Sequence, residues 1–163
     1  IKEIIWVMPF NKFETSESVG ATAIIDATST NTHKNDYFNY NACNVGDFIE
    51  TIGGQDSYEG FTKATIKLNG HTRFKERDAS YFRLCQPRQA GHKIPTKHIY
   101  MYSFALNPEE HQPSGTCNFS RLDNAHLSLK AVNDAPNYRL NVYGVNYNIL
   151  RIMSGMGGLA YSN

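Results

Sequence analysis

Residues 107–121, NPEEHQPSGTCNFSR, hold the densest group of side chains that could do chemistry. In this segment and just upstream lie six side chains of metal-ligating types: His92, His98, Glu109, Glu110, His111 and Cys117. No pair has the HxxxH or CxxC spacing that brings two ligands to one ion. Adjacent residues such as Glu109 and Glu110 also point to opposite sides of an extended chain. The spacing therefore predicts a proline-braced polar connector and no metal site.

A cysteine nucleophile is the second kind of chemistry that these residue types could supply. Cys85 or Cys117 would need a histidine as its base, yet the histidines are scattered and neither cysteine lies in a family signature. Cys85 falls on the apolar side of a predicted helix, where a buried and inert thiol is expected. The three cysteines are far apart and lack CxxC spacing, which predicts reduced thiols and synthesis in a cytosol-like compartment.

Three short motifs stand out, but backbone geometry explains two of them and the third is only a formal match to a glycosylation site. SGMGG, residues 154–158, lacks the Lys-Ser/Thr of a phosphate loop, and no helix is predicted after it. Its glycines are expected to allow positive φ or a close backbone approach. PSG, residues 113–115, predicts a turn, and NFS, residues 118–120, is a formal glycosylation acceptor. The side chains thus predict no catalytic, cofactor-binding or metal-binding residue.

The elements that must position these side chains are mainly β-strands. Strands are predicted over residues 2–8, 21–28, 64–71, 98–106, 125–132 and 138–153. Alternation predicts two inward faces, formed by Ala64, Ile66 and Leu68 and by Leu127, Leu129 and Ala131. Asn69-Gly70 predicts a hairpin turn, and Gly144 is a candidate bulge. Strands joined by turns indicate an antiparallel β-sandwich.

One short helix and one long irregular segment complete the predicted organisation. The helix covers residues 77–87, with Asp78 or Ser80 as its cap and Pro87 as its end. Residues 10–60 carry a weak pattern and are interpreted as a loop-rich variable insertion. The 163 residues are the size of one domain. They begin inside a strand without an initiator Met, so a domain incomplete at its N-terminus is expected.

Charge and hydropathy argue against two classes of partner. The chain has 16 Lys and Arg against 15 Asp and Glu, a net charge of +1. Its densest basic stretch, HTRFKER, is interrupted by Glu76 and followed by Asp78, so direct nucleic-acid binding is not expected. No apolar run approaches the ~20 residues that span a bilayer, so membrane insertion is not expected either.

Four blocks of sequence carry a recognisable pattern: KEIIWV, LNGHTRFKERDASYFRLCQP, YMYSFALNPEEHQPSGTCNFSRLDNAHLSL and VYGVNYNILRIMSGMGGLAYSN. In type and order they resemble the major capsid protein of nucleocytoplasmic large DNA viruses, of the iridovirus and phycodnavirus type. The blocks cover most of residues 1–8 and 64–163, and residues 10–60 have no counterpart. The resemblance is to the C-terminal portion of that family.

The resemblance implies a fold and a structural, non-enzymatic role. It implies the C-terminal jelly roll of a double jelly-roll protein, which forms homotrimers of pseudo-hexagonal outline that tile an icosahedral shell. Neighbouring capsomers and minor capsid proteins are the implied partners, the virion is the implied location, and assembly is expected in the host cell cytoplasm. Two alternatives remain open on the residues alone: a carbohydrate-binding jelly-roll module and a cupin-like metalloenzyme.

Overall fold

Two antiparallel sheets face each other across an aromatic core. The computed structural model describes residues 1–9, 59–131 and 139–161. Its strands are β1 (Glu3–Val7), β2 (Phe61–Leu68), β3 (His71–Thr72), β4 (Arg77–Asp78), β5 (Tyr100–Ser103), β6 (Ala125–Ala131), β7 (Asn141–Val145), β8 (Leu150–Met153) and β9 (Met156–Leu159). Its helical segments are a π-helical turn (Tyr81–Cys85), a short helix α1 (Gln86–Gln89) and a 3-10 turn (Phe119–Arg121).

Strand β1 is the centre of the first sheet, with β5 on one edge and β7 on the other. Strand β2 is the centre of the second sheet, pairing with β6 along one edge and with β3 and β4 along the other. Strands β8 and β9 form a separate hairpin. Four of the five β1 residues are buried, as expected for a strand without a polar face. The predicted strand at residues 2–8 is therefore confirmed.

The hairpin from β2 to β3 follows the prediction from Asn69-Gly70. Asn69 has φ 49° and Gly70 has φ 81°, the left-handed pair that a tight two-residue hairpin requires. Ala64 and Ile66 are buried, and Leu68 packs against the core as predicted. In the partner strand β6, Leu127 and Leu129 also pack on the core. Ala131 was expected to face inward but is exposed, since it lies at the last residue of the strand.

The core is built from four aromatic side chains with no exposed surface: Trp6, Phe61, Phe82 and Tyr100. Trp6 on β1 lies 5.3 Å from Phe82 and 6.0 Å from Tyr100, measured between ring centroids. Phe61 on β2 lies 4.6 Å from Tyr100 on β5. Tilted and stacked aromatic pairs at these distances stabilise a core beyond the area that they bury. The two sheets and the helical segment are therefore joined through one set of rings.

The predicted helix at residues 77–87 differs from the observed one. Arg77–Asp78 forms β4, and Ser80 makes no side-chain capping hydrogen bond. Pro87 does not end the helix but lies in the first turn of α1, where a missing N–H is tolerated. Cys85 was expected to be buried but is exposed. The expected burial of Cys85 assumed the 3.6-residue period of an α-helix, and the wider π turn does not keep that period. Of the five residues in the π turn, only Phe82 is buried.

The predicted strand at residues 138–153 is divided into β7 and β8. Gly144 is not a bulge, because its register with β1 continues unbroken from Glu3 to Val7. A Cβ on Gly144 would lie 3.0 Å from Ile1 Cδ1, so the glycine packs closely against the side chain of Ile1. The observed register shift lies instead in β2, between Phe61 and Lys63.

Two sequence predictions fall largely or wholly on residues that the structure does not describe. The proposed strand at 21–28 lies outside the described residues, and so does nearly all of the proposed insertion at 10–60. The predicted strand at 98–106 is confirmed but shorter, since β5 covers Tyr100–Ser103. Among the described residues, none of the helices has the length and apolar character needed to cross a bilayer.

Replacing Phe82 by Ala should be strongly destabilising, because it removes a ring that contacts Trp6, Phe74 and Tyr81. We expect a loss of about 3–5 kcal/mol in the free energy of unfolding, as for other buried Phe-to-Ala changes. Urea unfolding measures this loss. The control Leu106→Ala removes a side chain that is 77% exposed and should change stability by less than about 0.5 kcal/mol. Equal effects would show that Phe82 does not join the sheets.

Candidate functional site

Three side chains from distant parts of the chain form a carboxylate–histidine cluster: Glu3, His92 and Glu109. His92 Nε2 lies 3.0 Å from Glu3 Oε2 and 3.6 Å from Glu109 Oε1. Glu3 is buried, His92 is partly buried, and Glu109 is exposed to solvent. One ligand-type atom from each side chain lies within 4.8 Å of those of the other two. The cluster therefore opens to solvent on the Glu109 side.

Each member of the cluster is positioned by a different element. Glu3 begins β1, where its backbone is opposite Ser103 on one side and Val145 on the other. His92 follows α1, and its backbone N–H donates to the carbonyl of Pro87. Glu109 lies in the turn after β5. The Glu110 N–H closes this turn by donating to the Asn107 carbonyl at 3.4 Å. The sheet thus fixes one carboxylate, and two loops bring the other groups to it.

The structure brings together only two of the six ligand-type residues noted in the sequence, His92 and Glu109. Glu110 accepts a hydrogen bond from Asn107 Nδ2 at 3.3 Å, and His98 lies near Glu59. His111 and Cys117 are not members of the cluster. Sequence reasoning missed Glu3, although an acidic residue beside an otherwise apolar strand is an unusual placement that could have been noticed.

The segment 107–121 is a braced connector, as its prolines suggested. The Ser114 hydroxyl accepts from the Asn107 N–H at 2.9 Å and donates to the Asn107 carbonyl at 3.2 Å. Lys2 Nζ donates to the carbonyl of Pro108. Gly115 has φ +145°, and a Cβ there would lie 3.1 Å from the Phe104 carbonyl oxygen. These contacts hold the polar loop against the start of the chain.

Two local predictions within this connector had different outcomes. The hydrogen-bonded turn lies at Pro108 and Glu109 rather than at residues 113–115, so the predicted PSG turn is wrong. In the NFS motif, Asn118 Oδ1 accepts from the Ser120 N–H at 3.1 Å and caps the 3-10 turn. The Asn118 side chain therefore has a local structural role.

A second polar group lies, partly buried, beside the aromatic core. Glu59 accepts from Arg83 Nε at 2.7 Å and from the Tyr100 hydroxyl at 2.5 Å. Burial and the bond to Glu59 raise the pKa of Tyr100 far above its usual value, so the phenol remains protonated. His98 Nε2 lies 4.0 Å from the same carboxylate. Burial lowers the pKa of His98, and Arg83 lowers it further, against the opposing effect of Glu59. The group keeps a charged pair and a neutral imidazole next to the core.

The third feature is the apolar ribbon, residues 149–161, which contains β8 and β9. Ser154 and Gly155 make its turn with φ 52° and 77°, which confirms that the SGMGG motif uses positive φ. Asn148 closes the open end, accepting from the Tyr161 N–H and donating to the Tyr161 carbonyl. Its large exposed hydrophobic side chains are Ile149, Leu150, Ile152, Met153, Met156, Leu159 and Tyr161. A hairpin that exposes this many large hydrophobic side chains is typical of an interaction site.

Antiparallel sheets packed on an aromatic core with one short helix define an all-β sandwich. The family described as large eukaryotic DNA virus major capsid protein matches residues 1–158. The chain belongs to this family of viral capsid proteins.

Curated relatives and solved structures agree with this assignment. The major capsid protein of Phaeocystis pouchetii virus is 59% identical over 107 residues, which cover 61% of this chain and 20% of that protein. The major capsid protein of Paramecium bursaria Chlorella virus 1 is 44% identical over 142 residues, which cover 74% of this chain and 31% of that protein. The chain thus spans less than a third of the length of these relatives.

The structural similarity extends over nearly the whole chain. A crystal structure of PBCV-1 VP54, fitted into a cryo-EM reconstruction of the virophage Sputnik, has a TM-score of 0.67 and 35% identity, and the match covers 99% of this chain and 43% of VP54. The Faustovirus major capsid protein has a TM-score of 0.59 over 90% of this chain at 12% identity, which concerns the fold alone. The fold prediction of an antiparallel jelly-roll sandwich is confirmed.

The lowered pKa of His98 predicts a pH dependence of stability. Above His98's ordinary pKa of 6.5 the imidazole is neutral in both folded and unfolded chains, and its contribution to stability is complete. Below pH 6.5 the unfolded chain takes up a proton that the folded chain resists, so the free energy of unfolding falls as the pH falls. Urea unfolding between pH 7.5 and 5.5, a range of about two pH units around that pKa, measures this decline.

Two variants separate His98 from the other groups that titrate in this range. His98→Gln should flatten the decline, because the buried titrating group is gone. His71→Gln, which changes an exposed histidine on β3, should retain it. An unchanged decline in His98→Gln would mean that another group causes it.

Proposed function

We propose that this chain is the C-terminal jelly roll of a major capsid protein that builds the shell of a large DNA virus. In this proposal the whole protein forms homotrimers of pseudo-hexagonal outline, and these capsomers tile an icosahedral capsid. The observation that carries the proposal is the family match over residues 1–158, with curated relatives named as major capsid proteins. A structural neighbour titled as a PBCV-1 virus capsid model, at 34% identity and a TM-score of 0.61, supports it.

The physical character of the chain suits a shell subunit. The net charge of +1 leaves little long-range repulsion between copies. The aromatic core and the braced connector make a rigid unit, while the apolar ribbon offers a surface that association would remove from water. Subunit interfaces need such an apolar centre, since charged residues are depleted there. These properties support a structural role.

The proposed partners and location follow from the same role. The chain would contact further copies of itself, both within a capsomer and between neighbouring capsomers, and minor capsid proteins would bind the assembled shell. It would be located in the virion after assembly in the host cell cytoplasm. The carbohydrate-binding alternative rested on the many aromatic and Asn residues of the chain, and the family match does not favour it. The cupin-like alternative was tied to His111, which is not a member of the carboxylate–histidine cluster.

Introducing a charge into the apolar ribbon should block assembly without unfolding the sandwich. Ile152 is 69% exposed on β8, so Ile152→Asp alters no core contact but places a carboxylate in the surface proposed to be buried. A buried unpaired charge costs several kcal/mol. We expect the full-length wild-type protein to form trimers and hexagonal arrays, and the variant to remain mainly monomeric. Light scattering after size-exclusion chromatography and negative-stain electron microscopy measure the two states.

The matched control is Ser128→Asp, which adds the same charge to an exposed position of β6. This variant should assemble like the wild type. Circular dichroism should give the same folded signal for all three proteins. Wild-type protein that stays monomeric would overturn the proposed function, and full assembly of Ile152→Asp would exclude the apolar ribbon as the contact.

A further inference from the structure

From the geometry of the carboxylate–histidine cluster we infer that Glu3, His92 and Glu109 bind a divalent transition-metal cation, of which Zn²⁺ is the model ion. This binding site is independent of the assembly role proposed above. The ligand spacing in the sequence gave no indication of it, because Glu3 and His92 are 89 residues apart. The fold, rather than a local motif, creates the site.

The burial of Glu3 is the first argument. Its residue is only 2% exposed, and burying a carboxylate is costly unless positive charge or several hydrogen bonds compensate it. A carboxylate has about four lone-pair positions. His92 Nε2 contacts this carboxylate at Oε2. One such contact occupies one lone-pair position, so the carboxylate retains capacity for a cation.

The geometry is the second argument. Tetrahedral zinc holds its nitrogen and oxygen ligands at about 2.0–2.2 Å, which separates neighbouring ligand atoms by roughly 3.4 Å. The two measured separations from His92 Nε2, 3.0 Å to Glu3 and 3.6 Å to Glu109, bracket that value. An imidazole with two carboxylates is a donor set that zinc and related metals accept. Three protein ligands leave one position for water, on the solvent side of Glu109.

The positions of the ligands indicate what the ion would do. Glu3 belongs to the central strand β1, His92 follows α1, and Glu109 lies in the connector after β5. A shared ion would tie the two loops to the strand, and so close long loops of chain in the folded state. The proposed role is therefore structural: the metal fixes the connector against the sheet.

A hydrogen bond between the His92 ring and Glu3, without any metal, is the competing explanation of the same contacts. In that arrangement the ring N–H bonds to Glu3, and zinc has no effect on the protein. The two explanations differ in measurable ways, because metal binding requires the deprotonated ring and competes with protons. Zinc titration therefore decides between them.

The experiment uses the full-length protein with Cys85→Ser, which removes an exposed thiol that could bind zinc elsewhere. Metal is removed with a chelator, and Zn²⁺ is titrated by calorimetry at pH 7.5 and at pH 5.5. We expect one zinc per chain, a higher melting temperature on binding, and at least tenfold weaker binding at the lower pH. Elemental analysis after dialysis measures the stoichiometry independently.

Glu109→Gln is the main test variant, because its side chain is 59% exposed and its loss should not prevent folding. It should weaken zinc binding by about 10- to 100-fold or more, and His92→Ala should do the same. The controls Glu110→Gln and His111→Ala change the next two residues of the same loop and should bind like the parent. Absence of stoichiometric binding, or equal binding in Glu109→Gln, would overturn the inference. Equal weakening in the controls would also overturn it.

Discussion

The pairing of β1 on both edges is the constraint on which the rest of the structure depends. A strand between two partners satisfies its backbone groups on both sides, so its side chains can be buried on both faces. That position allows Trp6 to be completely buried against rings from β2, β5 and the π-helical turn. It also places Glu3, at the start of the strand, where loops from two other parts of the chain reach it. Core and cluster are therefore consequences of one strand's position.

The segment around Phe82 shows how the core determines local backbone structure. Helix propensity alone favours a regular helix through residues 77–87, and Pro87 should end it. The observed chain instead passes through a π turn at Tyr81–Cys85 and continues past Pro87. A π turn is rarely stable by itself, so tertiary contacts must offset its cost. Phe82 makes ring contacts with Trp6, Phe74 and Tyr81, and each such pair adds about 0.5–1.5 kcal/mol beyond area burial. Packing of one ring therefore outweighs the local preference.

The sequence predicted those features that depend on neighbouring residues. Alternation located β2 and β6, and Asn69-Gly70 located the turn between β2 and β3, because period and turn chemistry are local properties. The exposure of Cys85 and the role of Gly144 were predicted wrongly, since both depend on distant atoms: Gly144 packs on Ile1. The carboxylate–histidine cluster was missed for the same reason. Ligand spacing can reveal a site within one loop or helix, but not one that joins β1 to residues far along the chain.

The exposed apolar ribbon and the hydrogen-bonded group around Glu59 need opposite surroundings. The apolar ribbon holds seven large hydrophobic side chains in water, and complete burial of each would contribute roughly 1.5–3 kcal/mol. Association costs an estimated 4–15 kcal/mol in lost freedom and ordering, so burial of most of the ribbon is needed before contact becomes favourable. The Glu59 group requires the reverse, because Glu59 must keep its hydrogen bonds to Arg83 and to the buried Tyr100 hydroxyl. Contact at the ribbon can add apolar burial while the charged pair beside the core keeps its partners. The same chain can thus combine a tightly packed core with a surface that favours association, and a shell built from repeated subunits requires both.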